Sequence, residues 1–281
     1  MSSDDEAPRP PWDAGGPHVQ AALAALAARG FDAEAGSEVV TSVSRILAEQ
    51  LADARGEGAR LAPIGLMRSV LRLGSNVVRG AREGARLPIA ASACAVGCAH
   101  CCRVHVSVTP PEAFVLAAFL RDTRADLAAV TARVVEAAER VRSMDQDARL
   151  AAKLACPLLE GERCAAYPAR PLACAGANSF DAAACARGGE IPLEPLLLGG
   201  LRATSLGLSV ALAARGLDAG RYELAHALAV ALTVPDAAAR WLAGERLFTA
   251  TPADPEPARL AATHDAFVAR DPHLPRSTAL R

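Results

Sequence analysis

Cys94-Ala-Val-Gly-Cys98-Ala-His-Cys101-Cys102-Arg-Val-His-Val-Ser-Val-Thr109-Pro-Pro-Glu112 is the stretch on which the fold turns. Four cysteines fall within nine residues. Cysteine spent merely as a small buried hydrophobe rarely clusters so tightly, so these thiols are read as ligands. Converging sulfurs need a loop with sharp turns, and Gly97 supplies a backbone that can take them. Val104–Val108 has the make-up of a short strand. Thr109-Pro-Pro-Glu112 then reads as a capping box opening a helix with Val115, Phe119 and Leu120 on it.

A second group of four cysteines follows at Cys156-Pro-Leu-Leu-Glu-Gly-Glu-Arg-Cys164, Tyr167-Pro-Ala-Arg170-Pro171-Leu-Ala-Cys174 and Cys185. Prolines and glycines make 156–190 loop-rich. Between the groups, Thr123 with Asp126 is expected to open a long helix, in which Leu127, Val130, Val134, Ala137, Val141 and Met144 recur at three- and four-residue steps. That helix would space and support the two halves. Cys101 and Cys102 are adjacent, so their side chains are expected to diverge. Thiolates crowd negative charge, and Arg103, Arg163, Arg170 and Arg187 stand near enough in sequence to offset it.

Outward from this centre the pattern is helical. Ser37 can cap a helix with Val40, Val43, Leu47 and Leu51 on one stripe. Another segment runs from Leu61 to Arg82 around Ile64, Met67, Val70, Leu71 and Leu73. A first helix fits Pro17–Gly30, with Val19, Leu23 and Leu26 inward. Beyond the cysteines, Leu193–Arg215, Ala219–Leu232 and Asp236–Gly244 read as helices. The expected division is a disordered 1–16, a helical section 17–87, a cysteine domain 88–190, a helical section 191–249 and a loosely ordered tail 250–281.

Composition agrees. Hydrophobic residues make up 52% and aromatics 4%, with alanine and leucine carrying the apolar share. Both are strong helix formers, because they lose little side-chain freedom in a helix. The expected fold is mostly α: an irregular cysteine-rich metal-binding core enclosed by helices, with little or no β-sheet. A net charge of −1 argues against an electrostatic grip on nucleic acid or membrane. Met1-Ser-Ser-Asp-Asp-Glu lacks the basic start and apolar run of a secretory signal, and Pro195–Ala214 is broken by Arg202, Gly199, Gly200 and Gly207. A cytoplasmic location is expected, where thiols stay reduced and serve metals rather than disulfides.

Cys94, Cys98 and Cys101 form a CxxxCxxC that matches the cluster-binding signature of radical SAM enzymes. Those enzymes use a β/α barrel, and the alternation it needs is missing here. His100 also stands where an aromatic is usual. His100 and His105 flank the cluster, His226 lies on an apolar helix, and His18, His264 and His273 lie in end segments. No Ser-His-Asp elbow, P-loop, Rossmann glycine fingerprint or HExxH is present.

Taken together, the two groups resemble the YkgJ-type cysteine-cluster proteins, described as zinc- or iron-chelating. The resemblance rests on Cys98, Cys101 and Cys102 with Cys94 ahead of them, on Glu112, on Cys156-Pro157-Leu158-Leu159 with Cys164, and on Tyr167, Arg170, Pro171 and Cys174. It covers roughly residues 90–185. The first spacing here is CxxxC rather than CxxC, and Ala175 stands where arginine is common. The cysteines of both groups, Cys94, Cys98, Cys101, Cys102, Cys156, Cys164, Cys174 and Cys185, are expected to converge on one or two metal centres, zinc or an iron–sulfur cluster. The superfamily of the YkgJ-type proteins looks to include flagellin lysine N-methylases, which implies as the alternative an iron–sulfur-dependent protein-modifying methyltransferase. The partners expected are the metal and a protein docked on the helical ends. Tyr167 is expected to pack over the site, and Pro171 to fix the turn delivering Cys174.

Overall fold

A computed structural model of the chain describes residues 19–20, 22–24, 33–53, 62–85, 92–95, 97–188, 191–193 and 195–252. The expectations for 1–16, most of 250–281, Leu26, His18, His264 and His273 lie outside them. The described residues are mostly helical, as expected. The long helices are α1 (Ala33–Asp53), α2 (Ala62–Ala85), α3 (Pro110–Thr123), α4 (Leu127–Val141), α8 (Pro195–Ala214) and α9 (Leu224–Thr233). Shorter ones are α5 (Gln146–Ala152), α6 (Leu172–Gly176), α7 (Ala182–Arg187) and α10 (Ala237–Leu242).

The apolar stripes read from sequence are the packed ones. Val40, Val43, Leu47 and Leu51 of α1 are buried, as are Met67 and Val70 of α2. Val130, Val134 and Val141 of α4 are buried too, against α9. Helix α8 lies at the centre of the N-terminal half, packed on α1, α2 and α6. Two glycines allow its close approach. A Cβ on Gly207 would come within 2.8 Å of the Val43 side chain, and one on Gly74 within 2.8 Å of Leu201. The glycines that seemed to break this segment therefore let one continuous helix pack tightly. At 197–214 it is long and apolar enough to cross a membrane by length and composition, although Arg202 and the glycines were expected to break it. Here Leu208 and Leu212 are fully buried against other helices. Arg215 Nε at its end donates to the Ala48 carbonyl at 2.7 Å.

An aromatic group closes the other side. The rings of Phe114 and Trp241 stand 5.6 Å apart, and Phe248 lies against both Phe114 and Tyr222. Among the described residues, sheet is confined to two ladders. Strands β1 (Ser107–Val108) and β4 (Tyr222–Glu223) pair antiparallel, as do β2 (Leu159–Glu160) and β3 (Arg163–Cys164). The strand expected at Val104–Val108 thus exists in its last two residues.

Several boundaries differ from expectation: α1 starts at Ala33, so Ser37 lies inside it instead of capping it, and α4 ends at Val141, before Met144. Thr123 ends α3 instead of opening α4, its hydroxyl donating to the Phe119 carbonyl. Asp126 occupies the cap position of α4, but Arg124 takes its carboxylate. The expected helix Ala219–Leu232 starts only at Leu224. Tyr222 and Glu223 are drawn into β4, and Glu223 caps α9 through the amides of Ala225 and His226.

Candidate metal centre

The cysteine region is assembled by short, locally determined pieces. Ala95–Cys98 closes a turn, with the Cys98 amide on the Ala95 carbonyl at 3.0 Å and Gly97 at φ +89°. A positive φ at that position is what the turn demands and glycine gives it freely. His100–Arg103 forms one 3-10 turn that carries Cys101 and Cys102. The β2–β3 hairpin carries Cys164 beyond Gly161 and Glu162, both at positive φ, the backbone of a type I′ turn. Pro171 stands at the cap of α6, whose third residue is Cys174, so the expected turn is in place.

Two bonds join segments distant in sequence. The Cys156 amide donates to the Cys102 carbonyl at 2.7 Å, tying the second cysteine group to the first. The other is made by Glu112, which is buried. Its Oε2 accepts from the Thr109 amide at 2.7 Å and the Thr109 hydroxyl at 2.8 Å, completing the capping box of α3. Its Oε1 accepts from the Leu172 amide at 2.9 Å. That amide is the first orphan donor of α6, so one carboxylate caps the helix after Cys102 and the helix bearing Cys174.

Five sulfurs come close enough to feel one another's charge: Cys101, Cys102, Cys156, Cys164 and Cys174. Cys101 and Cys102 influence each other most strongly of these. In the tight 3-10 turn the interaction of the two neighbouring thiols holds Cys101 below the usual thiol range and pushes Cys102 up. Burial pushes Cys156 up to about 11, and it also raises Cys164 and Cys174.

Cys98 and Cys185 are half-buried. Cys94 is exposed. The strand-like 92–94 is held where the Ala93 amide meets the Ser179 carbonyl at 2.8 Å. Cys185 rides on α7, capped by Asp181 and packed on the 3-10 turn of Cys101 and Cys102. Among the described residues, no three His, Cys, Asp or Glu side chains stand at metal-coordinating spacing.

The positive charge comes partly from where it was expected. Arg170 acts on Cys101 and Cys164, favouring their ionised forms. Arg103 pairs instead with Glu162 at 3.5 Å and Arg187 with Asp181 at 3.8 Å, all exposed, and Arg163 is exposed. Arg149 does the inner work without having been foreseen. It is buried, its Nη1 donates to the Arg103 carbonyl at 3.4 Å, and its Nε stands 4.0 Å from Glu223. It favours the ionised form of Cys156, while Glu223 opposes it. A cleft opens here, lined by Arg149, Glu223 and Cys156 among others. Glu223 could have been read as a helix cap before an apolar run; nothing near Arg149 in sequence marks it.

Tyr167 does not shield the site. It is 57% exposed and offers its ring to Arg170, whose Cζ lies 4.2 Å from the ring centre. The 3-10 turn Tyr167–Ala169 aims the ring outward. His100 is exposed, and His105 Nε2 bonds the Ser107 hydroxyl at 2.8 Å.

The described residues form a mostly helical protein built around a cysteine-rich core. Residues 93–187, about a third of the chain, match the family model CxxCxxCC, whose description is "Putative zinc- or iron-chelating domain". The match begins just before Cys94 and ends just after Cys185, and it supports metal binding by this segment. No curated protein and no solved structure matches the chain.

Proposed function

We propose that the chain chelates zinc or iron through thiolates drawn from both cysteine segments. The observation that carries this reading is the Cys156–Cys102 backbone bond at 2.7 Å, which brings the two halves of an otherwise separated cysteine set together. In this reading Cys101, Cys102, Cys156, Cys164 and Cys174 supply the inner donors, and Cys94, Cys98 and Cys185 close over them.

The donor set fits the group. Soft sulfur donors suit zinc and iron–sulfur centres alike. Their bare thiols are mostly held protonated by burial, so a cation must displace protons to bind them. Arg149 and Arg170 offset the negative charge that results. Ligation requires side-chain rotation of the cysteines onto the ion, with the backbone already held by Glu112 and the hairpin. Bound zinc would supply a structural or Lewis-acidic centre, and bound iron an electron-carrying one.

Metal analysis and a visible spectrum on chain purified without oxygen test the proposal. Expected is stoichiometric zinc in a colourless protein, or iron with matching sulfide in a brown one. Cys156→Ser and Cys174→Ser abolish uptake, while Cys94→Ser weakens it less. A folded chain that takes up neither metal sinks the reading.

A further inference from the structure

Tyr167 and Arg170 stand at the two ends of one backbone turn between Cys164 and Cys174. Tyr167–Ala169 is a 3-10 turn, and the Arg170 amide closes it on the Tyr167 carbonyl at 3.5 Å. Residues three apart on such a turn lie one above the other, so the backbone itself brings ring and guanidinium together. Prolines hold that geometry from both sides. Pro168 fixes φ inside the turn, and Pro171 keeps Arg170 extended, at φ −59° and ψ 143°. The guanidinium carbon rests 4.2 Å from the ring centre. Arg103 and Arg187 lie against Glu162 and Asp181. Arg170, half-buried, directs its charge instead to Cys101 and Cys164.

We propose that Tyr167 is a positioning residue of the cysteine centre: its ring face holds the Arg170 guanidinium toward Cys101 and Cys164. What those thiols are readied for rests on the metal reading above. A long arginine side chain loses much rotamer freedom when it is kept in one place, so something must fix it there. The negative face of an aromatic ring attracts a guanidinium without neutralising it. A carboxylate in the same place would fix the arginine too, but would cancel the positive charge that favours thiolates. An aromatic anchor thus leaves the whole charge of Arg170 to the sulfurs.

Alkylation of the metal-free full chain by iodoacetamide at neutral pH, followed cysteine by cysteine with mass spectrometry, tests it. The reagent takes the thiolate, so the rate at Cys164 reads the charge held beside it. Cys156, on which Arg149 acts instead, is the internal reference. Tyr167 is exposed, so its truncation costs the fold little. Arg170→Met is expected to slow Cys164 by about three- to tenfold. Tyr167→Ala slows it by about twofold. Tyr167→Phe, which keeps the ring, reacts as the parent does. Tyr167→Ala combined with Arg170→Met reacts as Arg170→Met alone, because the ring acts only through the guanidinium. Cys156 keeps its rate in every variant, and zinc retention against a competing chelator follows the order seen at Cys164. The proposal is overturned if Tyr167→Ala leaves Cys164 unchanged, if Tyr167→Phe loses as much as Tyr167→Ala, or if the two losses add in the double variant. Equal slowing of Cys156 overturns it too, since that marks a loosened fold. Uptake of no metal together with the expected order at Cys164 sinks the chelation reading and leaves the pairing of Tyr167 with Arg170 in force.

Discussion

The cysteines from the 3-10 turn onward and those before it are held in different ways. Cys102, Cys156, Cys164 and Cys174 are fixed by capped helix ends, a hairpin and a direct backbone bond. Cys94 and Cys98 hang on one glycine turn and one amide at Ser179. The difference teaches that the sulfurs do not organise this core by themselves. Its order comes from a buried carboxylate and from backbone groups whose hydrogen bonds must be met somewhere. The well-held part should therefore bind the ion first, and the loosely held part should follow it.

Removing Glu112 breaks that contrast most severely. Glu112→Ala leaves the Thr109 and Leu172 amides buried without their acceptor. The expected cost is about 3 kcal/mol of folding stability, by urea unfolding of the metal-free chain. Metal affinity should fall with it, because Cys174 loses the anchor of its helix. Glu112→Gln keeps an oxygen for one of the two amides and should recover part of both losses. If Glu112→Ala bound metal as tightly as the parent, the inner group would owe nothing to its scaffold.

Alkaline titration sharpens the contrast from the side of the sulfurs. Burial raises Cys156 from the ordinary 9.0 to about 11, and it raises Cys164 and Cys174 as well. A thiol whose folded value lies above its unfolded one binds its proton more tightly in the folded state. The stabilisation is thus complete below pH 9.0 and lost as pH rises towards about 11 for Cys156. The expected loss is of order 2 kcal/mol between about pH 8 and about pH 11, in metal-free chain only. Cys101 is shifted the other way and works at lower pH, so it does not mask the effect. In metal-loaded chain the sulfurs are already deprotonated and the alkaline loss should vanish. Equal loss in both forms would show that these thiols do not ligate.

What was legible in sequence was local. Thr109 and Glu112 lie three residues apart, so a capping box could be read from spacing alone. Pro171 at the head of α6 and the stripes of α1, α2 and α4 were visible for the same reason. What stayed hidden depends on distance in the chain. Nothing at Glu112 announces that its second oxygen caps a helix sixty residues on. Arg149 and Glu223 meet only because α5 and β4 both pack beside Cys156. Thr123 was misread because a threonine can end a helix by bonding back to the fourth carbonyl before it, as well as open one.

The smallest effect belongs to the hairpin that carries Cys164. Gly161 sits at φ +52°, and nothing lies within 4 Å of where its Cβ would be. Gly161→Ala therefore meets no clash and pays only for the left-handed backbone, a cost of about 1 kcal/mol, offset in part by the stiffer unfolded chain. The neighbour Glu162 already bears the same strain at φ +62°. Arg124 and Arg133 grip Glu160 at the strand end, so the hairpin should tilt rather than open. Thermal unfolding should show a small downward shift, and metal should leave somewhat faster, with stoichiometry unchanged. If Gly161→Ala lost metal as completely as Cys174→Ser, Cys164 would depend on hairpin register far more than its anchoring suggests, and the hairpin would belong with the loosely held part of the core.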